Sequence, residues 1–287
     1  MILIFLAAWK RPEITEICFM GIRRLMKVSR HPMKAFVVIS EESLIPLCDK
    51  YGIQWTMYKN NPVGEKKNHG LNEAMKLQWD YLLEIGSDDV LKNEVLDYYE
   101  PYIQKGQEFF GAKDALIVNS EDGDCYRVKS DTAYGMGRMV SRKALEKVYG
   151  VDCIAKEGIM ARGRTVAKGS KGFFRPEQAQ ELEALGRLEI IGKPRYKLWN
   201  DDIDKGLDNN STYFMMTQGI GHFAVKTETP IGIDIKGPDN IWPFNPRLGT
   251  AYDLDKALEG LSDEEKIALF AMIKRNKNKE IEYAHPV

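Results

Sequence analysis

Residues 2–28, "ILIFLAAWKRPEITEICFMGIRRLMKV", decide the fold. The opening "ILIFLAAW" is a continuous apolar run of strand length. After it, Ile14, Ile17, Cys18, Ile22, Leu25 and Met26 recur at helical spacing, with Pro12 suited to a first helical turn. A strand with no polar alternation is buried on both faces, as in a parallel sheet covered by helices on each side. Working outward, "KAFVVIS" (34–40) predicts a second strand and "EESLIPLCDKYG" (41–52) a short helix ended by Gly52, and "IQWTMYK" (53–59) reads as a third strand. This β-α-β-α-β order predicts a mostly parallel sheet whose ligands lie beyond the strand C-termini. "GEKKNHGLNEAMKLQW" (64–79) reads as a helix and "DYLLEIG" (80–86) as a fourth strand, which delivers Asp88 and Asp89 to the ligand end.

Composition sets broader bounds. The 287 residues are 44% hydrophobic and 29% charged, enough to bury a substantial core, and a net charge of -1 excludes a whole-molecule commitment to nucleic acid or anionic membrane. Cys18, Cys48, Cys125 and Cys153 show neither a C-x-x-C pair nor a matching His cluster, so no zinc site or disulfide framework is expected and a reducing cytoplasm suits them. "MILIFLAAW" falls short of the roughly 20 apolar residues that a membrane span needs.

Beyond residue 110 the pattern is less regular. "AKDALIVNS" (112–120) and "DCYRVKS" (124–130) read as strands, "SRKALEKVYG" (141–150) as a helix ended by Gly150, and "RPEQAQELEALG" (175–186) as a helix ended by Gly186. The segment 155–174 between these helices reads as a glycine-containing loop. Residues 156–175 carry six Lys or Arg (Lys156, Arg162, Arg164, Lys168, Lys171, Arg175) and one acid, Glu157. Such a segment is either a solvated face or a contact for an anionic acceptor. In the tail, Ser262 precedes Glu265 by three residues, a capping box ahead of an apolar stripe.

Several residues offer chemistry. Asp88 and Asp89 are either a solvated turn capping "VLKNEVLDYY" or the holders of a divalent cation against a diphosphate. "KLWNDDIDKGLDNNS" (197–211) groups Asp201, Asp202, Asp204 and Asp208 without the spacing of an EF-hand. His222 in "GIGHFAVK" is a structural residue or a metal ligand, and Lys236 and Trp242 in "DIKGPDNIWPFN" fall near the expected rim.

Read in order, "LIFLAAWKRPE", "FVVISEE", "NNPVGEKKNHGLNEAM" and "YLLEIGSDDVL" make the first hundred residues resemble family 2 glycosyltransferases of the GT-A fold. The resemblance implies an α/β architecture: a nucleotide-sugar-binding half (1–110), an acceptor-binding half (111–250) and a helical tail (251–287) in one domain. It implies a nucleotide-sugar donor, most simply UDP-linked, an acceptor glycan or nucleic acid, inversion at the anomeric carbon, and Mn²⁺ or Mg²⁺ as cofactor. By the same resemblance Ala7, Ala8, Trp9 and Arg11 would line the nucleotide pocket, Trp9 stacking on the base. Ser40 and Glu41 would meet the uracil edge, and Lys67 or Lys66 with Asn68 the diphosphate. Asp88 would bind the metal together with His222, and Asp201 or Asp202 would deprotonate the acceptor. Gly86 stands where the family has its first Asp, so ribose contact would pass to Ser87 or Asp89. A sugar nucleotidyltransferase is the competing enzyme class, although "AAWKRPEIT" lacks its glycine-rich loop; a catalytically degenerate nucleotide-binding module is the non-enzymatic alternative.

Overall fold

The computed structural model describes residues 1–161, 164–238, 240 and 244–284. Its first unit runs β1 (Ile2–Ala8), α1 (Pro12–Val28), β2 (Met33–Ile39), a 3-10 turn leading into α2 (Ile45–Tyr51), β3 (Gln54–Met57), α3 (Val63–Ala74) and β4 (Tyr81–Glu84). β1 pairs in parallel with β2 and β4, and β2 pairs in parallel with β3. The continuous apolar run of β1 is explained by burial on two sides. Ile2, Ile4 and Leu6 pack in the core that contains the α1 and α2 side chains, while Leu3 and Phe5 pack with Leu71, Trp199 and Met215 on the opposite face.

The chain continues through β5 (Asp89–Leu91), α4 (Val95–Gln104), β6 (Phe109–Ala112), β7 (Asp114–Asn119), β8 (Cys125–Lys129) and β9 (Arg138–Ser141). It then forms α5 (Arg142–Glu146), β10 (Tyr149–Ala155), β11 (Ile159–Ala161), β12 (Arg164–Val166), β13 (Lys171–Phe174), α6 (Pro176–Ala184), β14 (Leu188–Ile190) and β15 (Arg195–Tyr196). Last come α7 (Leu207–Thr217), β16 (His222–Val225), β17 (Gly232–Lys236), β18 (Thr250–Ala251), α8 (Leu254–Ala257) and α9 (Asp263–Ala284).

The central sheet is mixed but largely parallel, in the order β16-β6-β9-β4-β1-β2-β3, with β9 antiparallel to both β4 and β6. A second sheet, β18-β8-β7-β17-β5, sets β5 antiparallel to β17 and β17 parallel to β7. Its apolar face, with Leu116, Val118, Ile233 and Ile235, packs with Ile14 and Ile17 of α1 and Leu269, Met272 and Ile273 of α9. The capping box forms as expected: the Ser262 hydroxyl accepts the Glu265 backbone N–H at 3.3 Å, and the Glu265 carboxylate accepts the Ser262 N–H at 2.7 Å. Glu265 also bonds Arg24 of α1 at 2.7 Å, and Arg24 reaches the Leu91 carbonyl of β5 at 2.7 Å.

Four expectations need correction. Asp89 does not cap a helix; it opens β5, whose partner β17 lies far along the chain. The helix after Asn61 ends at Ala74 rather than Trp79. The helix of 141–150 lasts only five residues, and Gly150 sits inside β10. The basic segment is not a loop: β11 and β12 form a hairpin and β13 pairs with β10. Arg162 of that segment and Trp242 lie outside the described residues. No helix among the described residues is long and apolar enough to cross a membrane.

Candidate active site

Where β1 and β4 end side by side, a cavity of about 480 Å³ opens at the C-terminal edge of the parallel strands. Ala7 reaches it from β1, Arg11 from the turn into α1, Lys67 from α3, and residues 84–89 from β4 and the start of β5. Lys10 and Arg11 both take positive φ angles, 55° and 50°. Side-chain-bearing residues adopt this conformation at a cost of about 1–3 kcal/mol each, and such strain gathers at functional sites. Here it directs the Arg11 guanidinium to Asp88 Oδ2 at 3.0 Å and Ser87 Oγ at 3.2 Å.

Asp88, Asp89 and Asp234 each offer a carboxylate oxygen within 4.8 Å of the others. Asp89 and Asp234 are direct cross-strand partners of β5 and β17, an arrangement that is destabilising for like charges unless something neutralises them. Burial, with the Asp234 and Asp88 charges beside it, pushes the Asp89 carboxyl well above the ordinary range. Burial raises Asp234 as well, against the pull of Lys236, whose ammonium lies 2.6 Å away. Asn240 donates to Asp88 at 2.5 Å. An all-oxygen set of three converging carboxylates is the donor chemistry of Mg²⁺ or Mn²⁺, so the residues fit a divalent cation.

The wider lining repeats that bias. Glu84, Asp88, Asp89, Asp204, Asp208 and Asp234 face Arg11, Lys67, Lys205 and Lys236, six carboxylates against four cations. Arg138, paired with Glu84 and Asp208 from behind the lining, offsets part of this excess, so the negative character concentrates on Asp88, Asp89 and Asp234, where a cation entering with an anionic ligand would be held. Glu84 is almost fully buried at the end of β4. Burial alone would raise its carboxyl, yet Arg138 and Lys67 hold it below the ordinary range. Arg138, wholly buried on β9, donates to Glu84 and to the Asp208 carbonyl at 3.0 Å, so β4 and the start of α7 share one cation.

Gly86, at the position where a further carboxylate was expected, has a local reason. A Cβ there would lie 2.5 Å from Asp88 Oδ1 and 3.0 Å from Asp89 Oδ2, and the Gly86 N–H donates to Asp89. Backbone fills the place of a side chain.

Of the residues singled out in the sequence, Arg11, Lys67, Ser87, Asp88 and Asp89 line this cavity together. Ala8, Trp9, Ser40 and Glu41 stand at the C-terminal ends of β1 and β2, outside its lining. The Ala8 carbonyl accepts from the buried Lys66 ammonium at 2.7 Å, and the Lys10 ammonium covers the Trp9 ring at 4.4 Å. Asn68 is buried and turned away, bonding the Trp199 carbonyl at 2.7 Å and Asp201 at 2.8 Å.

Asp201, Asp202 and His222 lie apart from this group. Asp201 is bound by Arg195 at 2.6 Å and Lys197 at 2.7 Å, and despite burial these partners hold its carboxyl far below the ordinary range, which leaves it no appetite for a proton. It lines a different cavity with Asp202, on the side of α3 that carries His69 and Asn72. His222 packs on Phe109 with ring centroids 4.8 Å apart and does not join the carboxylates. Asp234, not His222, lies beside Asp88 and Asp89. Its signal was the alternation Ile233-Asp234-Ile235-Lys236, which puts two charges on one face of a strand whose other face is apolar. Glu84 and Arg138 carried no sequence signal.

Asp204 and Asp208, from the same acidic segment, do line the main cavity. Asp204 accepts the Val63 N–H at the start of α3 at 2.8 Å, and the Ile203 carbonyl accepts the Gly64 N–H at 3.0 Å. A Cβ on Gly64 would stand 1.8 Å from the Asn200 carbonyl oxygen, so only glycine lets this segment seat on α3. Gly64→Ala is expected to cost about 1–3 kcal/mol of stability through overpacking. Chemical denaturation checks it, and an unchanged midpoint would mean that the segment does not rest there.

No family model and no curated protein matches the sequence. Among solved structures, the chain is similar to the mannosyltransferase PcManGT from Pyrobaculum calidifontis in complex with GDP-Man and Mn²⁺, with 10% identity and a TM-score of 0.46 over 84% of this chain and 58% of that one. It is similar to S. aureus TarS 1-349, with 10% identity and a TM-score of 0.42 over 97% of this chain and 72% of that one. A third is mannosyl-3-phosphoglycerate synthase from Rubrobacter xylanophilus, with 15% identity and a TM-score of 0.37 over 53% of this chain and 56% of that one. The chain thus spans less than two thirds of the first and third of these proteins. Likenesses at these scores carry no argument about activity; that weight falls on the carboxylates of the cavity.

Proposed function

We propose that this chain is a GT-A-type glycosyltransferase that moves a sugar from a nucleotide diphosphate donor, most simply UDP-linked, to an acceptor hydroxyl with inversion. The observation that carries the reading is the meeting of Asp88, Asp89 and Asp234 at the ligand end of the sheet. These residues would hold Mn²⁺ or Mg²⁺, which when bound supplies positive charge to the departing diphosphate. Arg11 and Lys67, on the cavity wall, would add donor hydrogen bonds to the same phosphates. Asp208 is the proposed proton acceptor for the attacking hydroxyl. Its side chain is half exposed in the cavity and lies 3.5 Å from Arg138, which fixes its orientation. A reducing compartment, the cytoplasm, fits the four buried and unpaired thiols.

The three converging carboxylates make the test sharp. Nucleoside diphosphates alone should barely raise the melting temperature. With Mn²⁺, UDP or GDP near 100 times its Kd should add about 2.7 kcal/mol, or roughly 5 °C or more for a protein of this size. Asp88→Ala should abolish the increment. Stabilisation by a nucleotide without metal, or by none with it, would remove the reading.

A further inference from the structure

Two further cavities share residues of β8 and the turn after it. The first, of about 340 Å³, is lined by Lys113, Lys129 and Lys226 with the hydroxyls of Ser130 and Thr227. The second, of about 490 Å³, is lined by Arg127, Lys129, Arg247 and Thr250. Lys129 belongs to both, and Ser130 belongs to the first and to the main cavity, so the three adjoin in sequence.

Their charge is opposite to that of the main cavity. Asp114 is engaged by Arg127 at 2.9 Å, which leaves Asp131 as the free acid in either lining. Lys113, Lys129, Lys226 and Arg247 form no ion pair among the described residues. Thr227 Oγ1 is buried with no hydrogen-bond partner there, an orphan that a ligand oxygen would satisfy. Cations left unpaired around two joined hollows, with hydroxyls between, suit a ligand that repeats an anionic group along its length. No aromatic ring lines either cavity among the described residues. Single-stranded nucleic acid is gripped by stacking as well as charge, so this lining favours a chain without bases.

We propose that these two cavities bind an anionic glycan, one bearing phosphate, sulfate or carboxylate groups, and lead its end past Ser130 into the main cavity. That it is the acceptor rests on the transferase reading; that it binds does not. The basic hairpin of β11 and β12, with Lys168 and Lys171 beyond it, is not required.

Binding of fluorescent dextran sulfate, polygalacturonate, neutral dextran and poly(dT) to the full chain tests this, in the wild type, in Lys129→Glu/Lys226→Glu and in Lys168→Glu/Lys171→Glu. The expected result is binding of at least one anionic glycan and no binding of neutral dextran. Lys129→Glu/Lys226→Glu should weaken it tenfold or more and lower the salt dependence by about 2 released counterions. The Lys168→Glu/Lys171→Glu variant should bind as wild type. Equal binding by Lys129→Glu/Lys226→Glu, an equal loss in Lys168→Glu/Lys171→Glu, or poly(dT) binding as tightly with the same sensitivity would each overturn the proposal. The two glycans separate sulfate from carboxylate recognition. Both variants change exposed side chains, and their Mn²⁺-dependent stabilisation by UDP or GDP is measured alongside. A glycan loss specific to Lys129→Glu/Lys226→Glu with no nucleotide effect in any protein would keep the anion site and remove the transferase reading.

Discussion

Asp89→Asn is expected to lower sugar transfer on the order of 10²–10³-fold, the usual cost of losing one charge-stabilising group, while making the metal-free protein more stable. The two effects have one cause. In the folded chain Asp89 is buried opposite Asp234 and beside Asp88, and its ionised form is disfavoured there. Asparagine keeps an oxygen for the Gly86 N–H but removes the repulsion, worth roughly 1.4 kcal/mol for each unit of pKa displacement. In chelator the variant should unfold at higher denaturant than wild type, and with Mn²⁺ the order should reverse, because only the wild type gains binding energy. A variant no more stable in chelator, or one that keeps full activity, would show that the three carboxylates are not a cation site.

Lys66 governs the other large effect. It is buried on α3, and burial pushes its ammonium down to about 7, with Glu41 pulling the other way. Between that value and the usual lysine range the unfolded chain binds more protons than the folded one, so stability must rise with pH there. The whole window is worth on the order of 5 kcal/mol, of which about 2 kcal/mol falls between pH 7 and pH 9. Below pH 7 the penalty for charging the buried amine is fully present. Lys66→Met removes the titrating group, so the difference in unfolding free energy between wild type and variant should change by that amount across the window. Denaturation at pH 6, 7, 8 and 9 measures it, and parallel curves for the two proteins would mean that the amine is not buried in its neutral form.

The N-terminal fold was legible because its signals are local. An unbroken apolar run such as Ile2–Ala8 has one good explanation, and the helical stripe from Ile14 to Leu25 has another. Gly52, at φ 63°, ends α2 where the sequence indicates. β6 and β9 are four residues each, too short to show a period, and become strands only through their partners. The candidate site divides the same way. Arg11, Asp88 and Asp89 sit at or just beyond the ends of readable elements and Lys67 in the first half of one, so order along the chain was enough to bring them together. Asp234 needed the pairing of β17 with β5, a contact between distant segments. The placement of Asp201 was hidden for a different reason: an acidic run shows where carboxylates are, but not that Arg195 and Lys197 pair with one of them.

The Arg24 bridge has a bearing on how the protein is born. Asp88, Asp89 and Asp234 have all left the ribosome before residue 263, where α9 begins. β5, which carries Asp89, is tied through the Leu91 carbonyl to Arg24, and Arg24 is neutralised by Glu265. During synthesis the nascent chain therefore holds every member of the carboxylate cluster while one anchor of its strand still lacks a counter-charge. The cluster reaches its full support only once α9 docks on α1, which ties the finished cavity to a helix made after all three carboxylates.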